Sequence, residues 1–350
     1  MMNLIKYIFL LFIPCLLASC VGKVFSDANS SELSTAPITV VSETKIASDF
    51  ELQFPKQIKV IGDSLIAIID PSQGDEFAHL IRINGDYVAS FGKIGQGPGE
   101  FLTPDKLSVN NEGKLYIYDF RLCNSGVFHT DSLLSGTVER KKIRYENIMP
   151  EGVLRFNSVI HQSDSDFIGF CLNEINRIIL VRNGKLIDSY NNYPQLDDNS
   201  EFNTSLWNNG ACFSASPDGK HIVIGTSIGM AFEIFDIKDD KISSRIFKEF
   251  YKPIFTVAEG AVPVCVTYAE DCPVGFKTIC ATNEDFYGVI GGSAPDYEDA
   301  NIIYRFDYNG KLIDKFKCKF QIDALDVNEE AIYALSYDED GNYFITKIDK

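Results

Sequence analysis

The chain has 350 residues, with 49 acidic side chains against 32 basic ones and a formal net charge of -17. That balance excludes a nucleic-acid binder, which needs clustered Lys and Arg, and sets the surface against anionic lipid headgroups. The 45% hydrophobic content supports a large core, and length alone allows one or two domains.

Residues 1–19 form a signal segment: Lys6 supplies positive charge, and Tyr7 to Leu17 is nearly all apolar but too short to span a bilayer. The segment ends Leu17-Ala18-Ser19-Cys20, which resembles the bacterial lipobox. The resemblance implies cleavage before Cys20, diacylation of its thiol (palmitate being the typical chain) and acylation of the new N-terminus. Two or three acyl chains anchor a protein firmly where one is marginal. An ordinary secretory signal that contains a Cys is the competing reading. Cleavage removes one Lys and no acid, so the mature charge becomes -18. Val21 offers no inner-membrane retention signal, so the expected location is the cell envelope at the outer membrane. Residues 21–37 are small and polar without apolar periodicity and predict a flexible tether.

Seven cysteines follow Cys20, an odd number that cannot pair completely within the chain. Several stand in strand-like runs, where a free thiol behaves as a small buried apolar group. Cys265 and Cys272 flank a six-residue loop and are the candidates for one disulfide in an exported protein. No Cys-x-x-Cys pair occurs, which argues against zinc, and nothing calls for a cofactor.

From residue 38 the sequence turns to short apolar-alternating runs separated by Gly, Asn and Asp. The runs repeat. Asn-Gly-Lys-Leu-Ile-Asp occurs at 183–188 and again at 309–314, each time after a strand-like run, and Ile81-Arg-Ile-Asn-Gly-Asp-Tyr-Val88 is a third version. Asn-Gly between such runs is the strongest short hairpin signal. A second hairpin lies upstream, as in Ser216-Pro-Asp-Gly-Lys220 before His221-Ile-Val-Ile and Asn110-Asn-Glu-Gly-Lys114 before Leu115-Tyr-Ile-Tyr. The unit is therefore four strands, a to d. Its b strands begin near Leu65, Leu115, Phe167, His221, Phe286 and Ala331, spaced 50, 52, 54, 65 and 45 residues apart. Six four-stranded antiparallel meanders at this spacing predict an all-β, six-bladed β-propeller over residues 38–350, since a β-sandwich would not require one unit to recur. The last unit has strands a, b and c and then the chain ends, while Ile38–Lys45 has no unit of its own. That N-terminal run is predicted to supply strand d of blade six and close the ring.

The segment Phe91-Gly-Lys-Ile-Gly-Gln-Gly-Pro-Gly-Glu-Phe101, following a d strand, resembles the motif of six-bladed TolB-like and NHL-like propeller lipoproteins of Bacteroidetes, and the 216–220 turn is similar to TolB-type turns. The resemblance implies an envelope location and six blades. TolB itself carries a separate N-terminal domain for which residues 21–37 leave no room, so its partners are not carried over. Gly95, Gly97 and Gly99 are not followed by Lys-Ser/Thr and are read as an inter-blade turn rather than a phosphate loop.

In such a meander the a–b and c–d turns share one face and the b–c loops and d–a links the other. The second set is long (70–77, 119–125, 190–210, 248–276, 293–301), and long loops in a compact domain carry function. The candidate binding surface is therefore this face, around the mouth of the central channel. Its candidate residues are Asp119, Arg121, Trp207, Tyr251, Asp296, Tyr297 and Glu298, with Asp299 beside them. Trp207, the only Trp, lies among amides as a sugar or peptide platform would, and a plug between blades is the favoured alternative. Residues 296–299 are acidic enough for calcium but depart from the usual loop pattern, which favours a solvated loop. His79, His129, His161 and His221 are not at metal-ligand spacing, and no Gly-x-Ser-x-Gly elbow occurs. The sequence thus favours a non-catalytic, lipid-anchored scaffold for a glycan, peptide or envelope protein. An envelope hydrolase or lyase with a metal-assisted site in the channel is the alternative.

Overall fold

The apolar runs become strands covered on both faces. The computed structural model describes residues 27–48, 50–72, 74–110, 112–138, 140–145, 148–149, 155–171, 176–195, 207, 211–257, 266–269, 272–291 and 300–350. Six sheets follow one another in chain order. Blade one is Gln57–Ile61, Leu65–Ile69, Glu76–Arg82 and Tyr87–Lys93, and blade two is Pro104–Val109, Lys114–Asp119, Asn124–His129 and Lys141–Arg144. Blade three is Phe156–His161, Phe167–Cys171, Ile178–Arg182 and Lys185–Tyr190. Blade four is Ala211–Ala215, His221–Thr226, Met230–Lys238 and Lys241–Tyr251. Blade five is Phe276–Ala281, Asp285–Ile290, Ile302–Asp307 and Leu312–Lys317. Blade six takes Gln321–Val327, Ala331–Tyr337 and Tyr343–Asp349 from the end of the chain. The predicted b strands stand where the spacing put them.

An apolar cluster fills each gap between blades. Ile69, Phe77, Phe91, Phe101 and Phe128 join blades one and two. Phe170, Phe213 and Phe235 join three and four, and Phe232, Phe276, Phe286 and Phe306 join four and five. Because each sheet is sandwiched between two others, its b strand is buried along its whole length, as at Leu65–Ile69 and Phe167–Cys171. Such strands read as continuous apolar runs rather than alternating ones.

The ring closes through the N-terminal run, in part as predicted. Glu43–Ile46 pairs antiparallel with Tyr343–Asp349 and is strand d of blade six. Thr39–Val40 instead runs parallel to the edge of blade five, opposite Phe316 and Lys317, so the run bridges two blades. The preceding residues correct the flexible tether: Asp27–Thr35 forms a helix, α1, across blades four and five. Its sequence is a poor helix former, and tertiary contacts hold it. Leu33 is buried in the cluster between those blades. Glu32 accepts the Leu312 N–H at 3.0 Å and pairs with Lys248 at 2.5 Å, and Lys315 Nζ donates to the Leu33 carbonyl at 2.8 Å.

Ring closure gives a direct test. Ile46→Ala empties a buried position between blades six and one and is expected to lower unfolding free energy by about 2–4 kcal/mol. Val40→Ala, at an 82% exposed site, should change it by no more than about 0.5 kcal/mol in the same urea titration.

Candidate functional site

The six a strands line the central channel, which holds a cavity of about 550 Å³ bordered by residues of every blade. Four of these strands carry a β-bulge near the end at which they enter from the long-loop face. The register slips between Pro104 and Lys106, Phe156 and Ser158, Phe276 and Thr278, and Ile322 and Ala324. The extra residues are Asp105, Asn157, Lys277 and Asp323, all polar and all lining the cavity. A bulge re-aims side chains and breaks strict alternation, so neighbouring residues such as Asp105 and Lys106, or Lys277 and Thr278, both border the channel. The sequence trace of this ring is the polar pair near the start of an inner strand, which a reading by alternation alone passes over.

The channel is charged and largely paired. Lys59 Nζ lies 2.6 Å from Asp326 Oδ1, whose partner oxygen accepts the Val60 N–H at 2.7 Å. Burial is the strongest single influence and opposes the Lys59 charge, but the attraction and hydrogen bond of Asp326, together with Cys280, hold the ammonium above its usual range. The Cys280 thiol donates to Asp326 Oδ1 at 3.1 Å, and burial first, then that carboxylate, pushes its pKa up. Burial likewise pushes the Cys212 thiol up to about 11, so neither channel thiol is poised as a thiolate nucleophile. Lys277 pairs with Asp323 and donates to the Tyr337 hydroxyl at 3.4 Å. Lys106 differs: its Nζ crosses from blade two to donate to the Phe213 carbonyl of blade four at 2.8 Å. Burial and the nearby Lys59 lower its pKa.

The residues singled out from sequence are spread over different parts of the fold. Asp119 is fully buried at the end of its b strand, where it accepts N–H groups from Leu102 and Thr103 before the blade and from Arg121 and Leu122 after the strand. Asp70 does the same in blade one, accepting from Gln53, Phe54 and Ser72. Both carboxylates satisfy loop amides. Arg121 is exposed. Trp207 is fully buried between blades three and four, so the plug alternative holds; its Nε1 donates to the Pro194 carbonyl at 3.2 Å. It stacks 4.5 Å from the guanidinium of Arg177, which forms a buried ion pair with Glu233. Tyr251 is half-buried against the cluster between blades four and five. Asp296, Tyr297, Glu298 and Asp299 lie outside the described residues, as does Cys265, and Cys272 is buried.

In the Gly-rich link, Glu100 Oε2 accepts the Gly97 N–H at 2.6 Å, and a Cβ on Gly95 would stand 2.0 Å from that oxygen. Gly99 has φ of +88°, which favours glycine. Phe101 then plugs the gap between blades one and two, with the Arg140 guanidinium 3.8 Å above its ring.

One polar cluster escaped the sequence reading. His161 is buried beside the channel, stacked 4.5 Å from Tyr116. Its Nδ1 lies 3.1 Å from the Ser163 carbonyl, which only accepts, so Nδ1 carries the proton. Nε2 therefore accepts from the Tyr145 hydroxyl at 2.7 Å, and Ser125 Oγ sits 2.5 Å from that same hydroxyl. Burial pushes the imidazole down to about 4.

With this geometry in place, the fold and its ringed channel define a six-bladed propeller built around a ligand-sized opening. The chain belongs to the TolB-like 6-blade propeller-like family, which matches residues 34–330. No curated protein matches it. Among solved structures it is similar to a protein described as exported from Bacteroides fragilis, with TM-score 0.54, 10% identity, and 89% and 95% of the two chains covered. It is also similar to a gluconolactonase from Xanthomonas campestris (TM-score 0.52, 11% identity, 91% and 92% covered). A third similar structure is a duf4221 family member from Bacteroides vulgatus (0.51, 11%, 90% and 97%). At these identities the likeness is one of fold.

Two measurements check these roles. Asp119→Ala leaves four loop amides without their acceptor and is expected to cost about 3 kcal/mol or more, whereas Arg121→Ala should stay within about 0.5 kcal/mol. For His161, the unfolded imidazole takes up its proton as pH falls below about 6.5 while the folded one resists until about 4. Stability should fall across that window by on the order of 3 kcal/mol, and His161→Phe should flatten that part of the curve in denaturant titrations from pH 7 to 4.

Proposed function

We propose that this chain is a lipid-anchored envelope propeller that binds a glycan, a peptide or a segment of a partner protein at the mouth of its central channel, without transforming it. The observation that carries the reading is the ring of bulged residues Asp105, Asn157, Lys277 and Asp323 around a cavity of about 550 Å³. Such a volume is typical of small-ligand sites, and bulges cluster where side chains must be re-aimed. Burial of Trp207 leaves it no exposed face to serve as an aromatic platform, which supports placing the site at the channel rather than on that side chain. The lipobox ending in Cys20 supports the anchor, and the likeness to an exported Bacteroides protein supports the envelope location.

The gluconolactonase likeness supports an enzymatic alternative through fold alone. A metal-assisted site needs several unpaired ligands, while the channel carboxylates Asp323 and Asp326 are already held by Lys277 and Lys59. That pairing favours binding over metal chemistry.

Two experiments test the proposal. Cys20→Ala should lose incorporated labelled palmitate and move from the membrane to the soluble fraction; retention of both would remove the anchor. In a thermal-shift screen of the mature chain against glycans and peptides, ligands that raise Tm should do so less in Asn157→Ala and Asp323→Asn. Hits that survive both changes would move the site away from the channel.

A further inference from the structure

Lys106 and Ser158 occupy equivalent places, each the first paired residue after the bulge of its inner strand, on the adjacent blades two and three. Both border the cavity. An ammonium has three N–H donors, and among the described residues Lys106 uses one, on the Phe213 carbonyl, and stands in no ion pair. Two other channel lysines, Lys59 and Lys277, are matched to Asp326 and Asp323. Ser158 is 7% exposed, and its hydroxyl has no hydrogen-bond partner among the described residues. A buried hydroxyl without a partner is costly, and so is a desolvated cation without a counter-charge. These two residues on neighbouring strands line a cavity of small-ligand size.

We propose that the channel takes a small organic anion whose carboxylate or phosphate group is held by Lys106 Nζ and Ser158 Oγ. This rests on the channel-binding reading above and names the class of its ligand. The neighbouring Asp105 attracts Lys106 electrostatically but makes no ion pair with it among the described residues, and burial raises the Asp105 pKa. The net charge of the chain does not forbid an anion either, because exposed charges beyond about 8 Å are screened at physiological ionic strength, while a buried ammonium is not. Ile58, Ile160, Ile279 and Leu325 among the lining residues give the body of the ligand apolar contact, as small-molecule sites do.

The test is calorimetric titration of the mature chain with sodium phosphate, with glucuronate and with neutral glucose, all at constant ionic strength. Phosphate or glucuronate should bind and glucose should not; a preference for one over the other identifies the anionic group. Lys106→Met should weaken binding about tenfold or more, Lys106→Arg should retain most of it, and Ser158→Ala should weaken it several-fold, the scale of a lost charge-assisted hydrogen bond. Far-UV circular dichroism and unliganded Tm establish that each variant is folded, and Lys106→Arg with Ser158→Ala decide the matter if Lys106→Met is not. The inference is overturned if neither anion binds, or if binding is unchanged in folded Lys106→Met and Ser158→Ala. If neutral glycans or peptides then still depend on Asn157 and Asp323, the channel reading stands and only the anionic class is lost.

Discussion

Everything in this molecule follows from the need to pack six twisted sheets face to face in a closed circle. Each interior sheet has a neighbour on both sides, so its middle strands must be apolar on both faces. The Phe-rich clusters between blades four and five, and between one and two, are where that demand is met. It leaves the inner strands, the turns and the outer edges as the places where polar groups can stand, and only the inner strands bring residues of all six blades together.

Polar residues on the long-loop face illustrate how misleading exposure estimates from sequence can be. Asp70 and Asp119 lie where loops begin and look available for a ligand, yet each closes a set of backbone amides that a buried loop would otherwise leave unpaired. The same logic makes sense of the Gly-x-Gly-Pro-Gly-Glu-Phe link. Its Glu side chain folds back on the loop, and its Phe becomes part of the core. These residues build the rim.

The channel inverts the character of the surface around it. In a chain of net charge -17, four lysines border the cavity, and two of them are matched by carboxylates from blade six. The bulges make this possible without disturbing the inter-blade packing, because a single extra residue on the inner strand changes what faces the channel while the b strand behind it keeps its apolar run. The buried His161–Tyr145–Ser125 network sits behind the same wall and holds blades two and three in register.

Local sequence determined the blades. Periodicity, Asn-Gly turns and recurrent spacing act over a few residues and survive without knowledge of neighbours, which is why the six b strands and the closing strand Glu43–Ile46 were legible. Tertiary structure decided the rest. The identical hexapeptides show it: at 183–188 both Asn183 and Gly184 are left-handed in a two-residue turn, whereas at 309–314 only Gly310 is, in a longer turn capped by Asp307. Likewise the polar run before residue 37 became a helix because Leu33 and Glu32 found partners on blades four and five, and Trp207 became core because Arg177 lay beneath it. The ring of Asp105, Asn157, Lys277 and Asp323 exists only once four distant strands point at one axis, and no local pattern encodes that convergence.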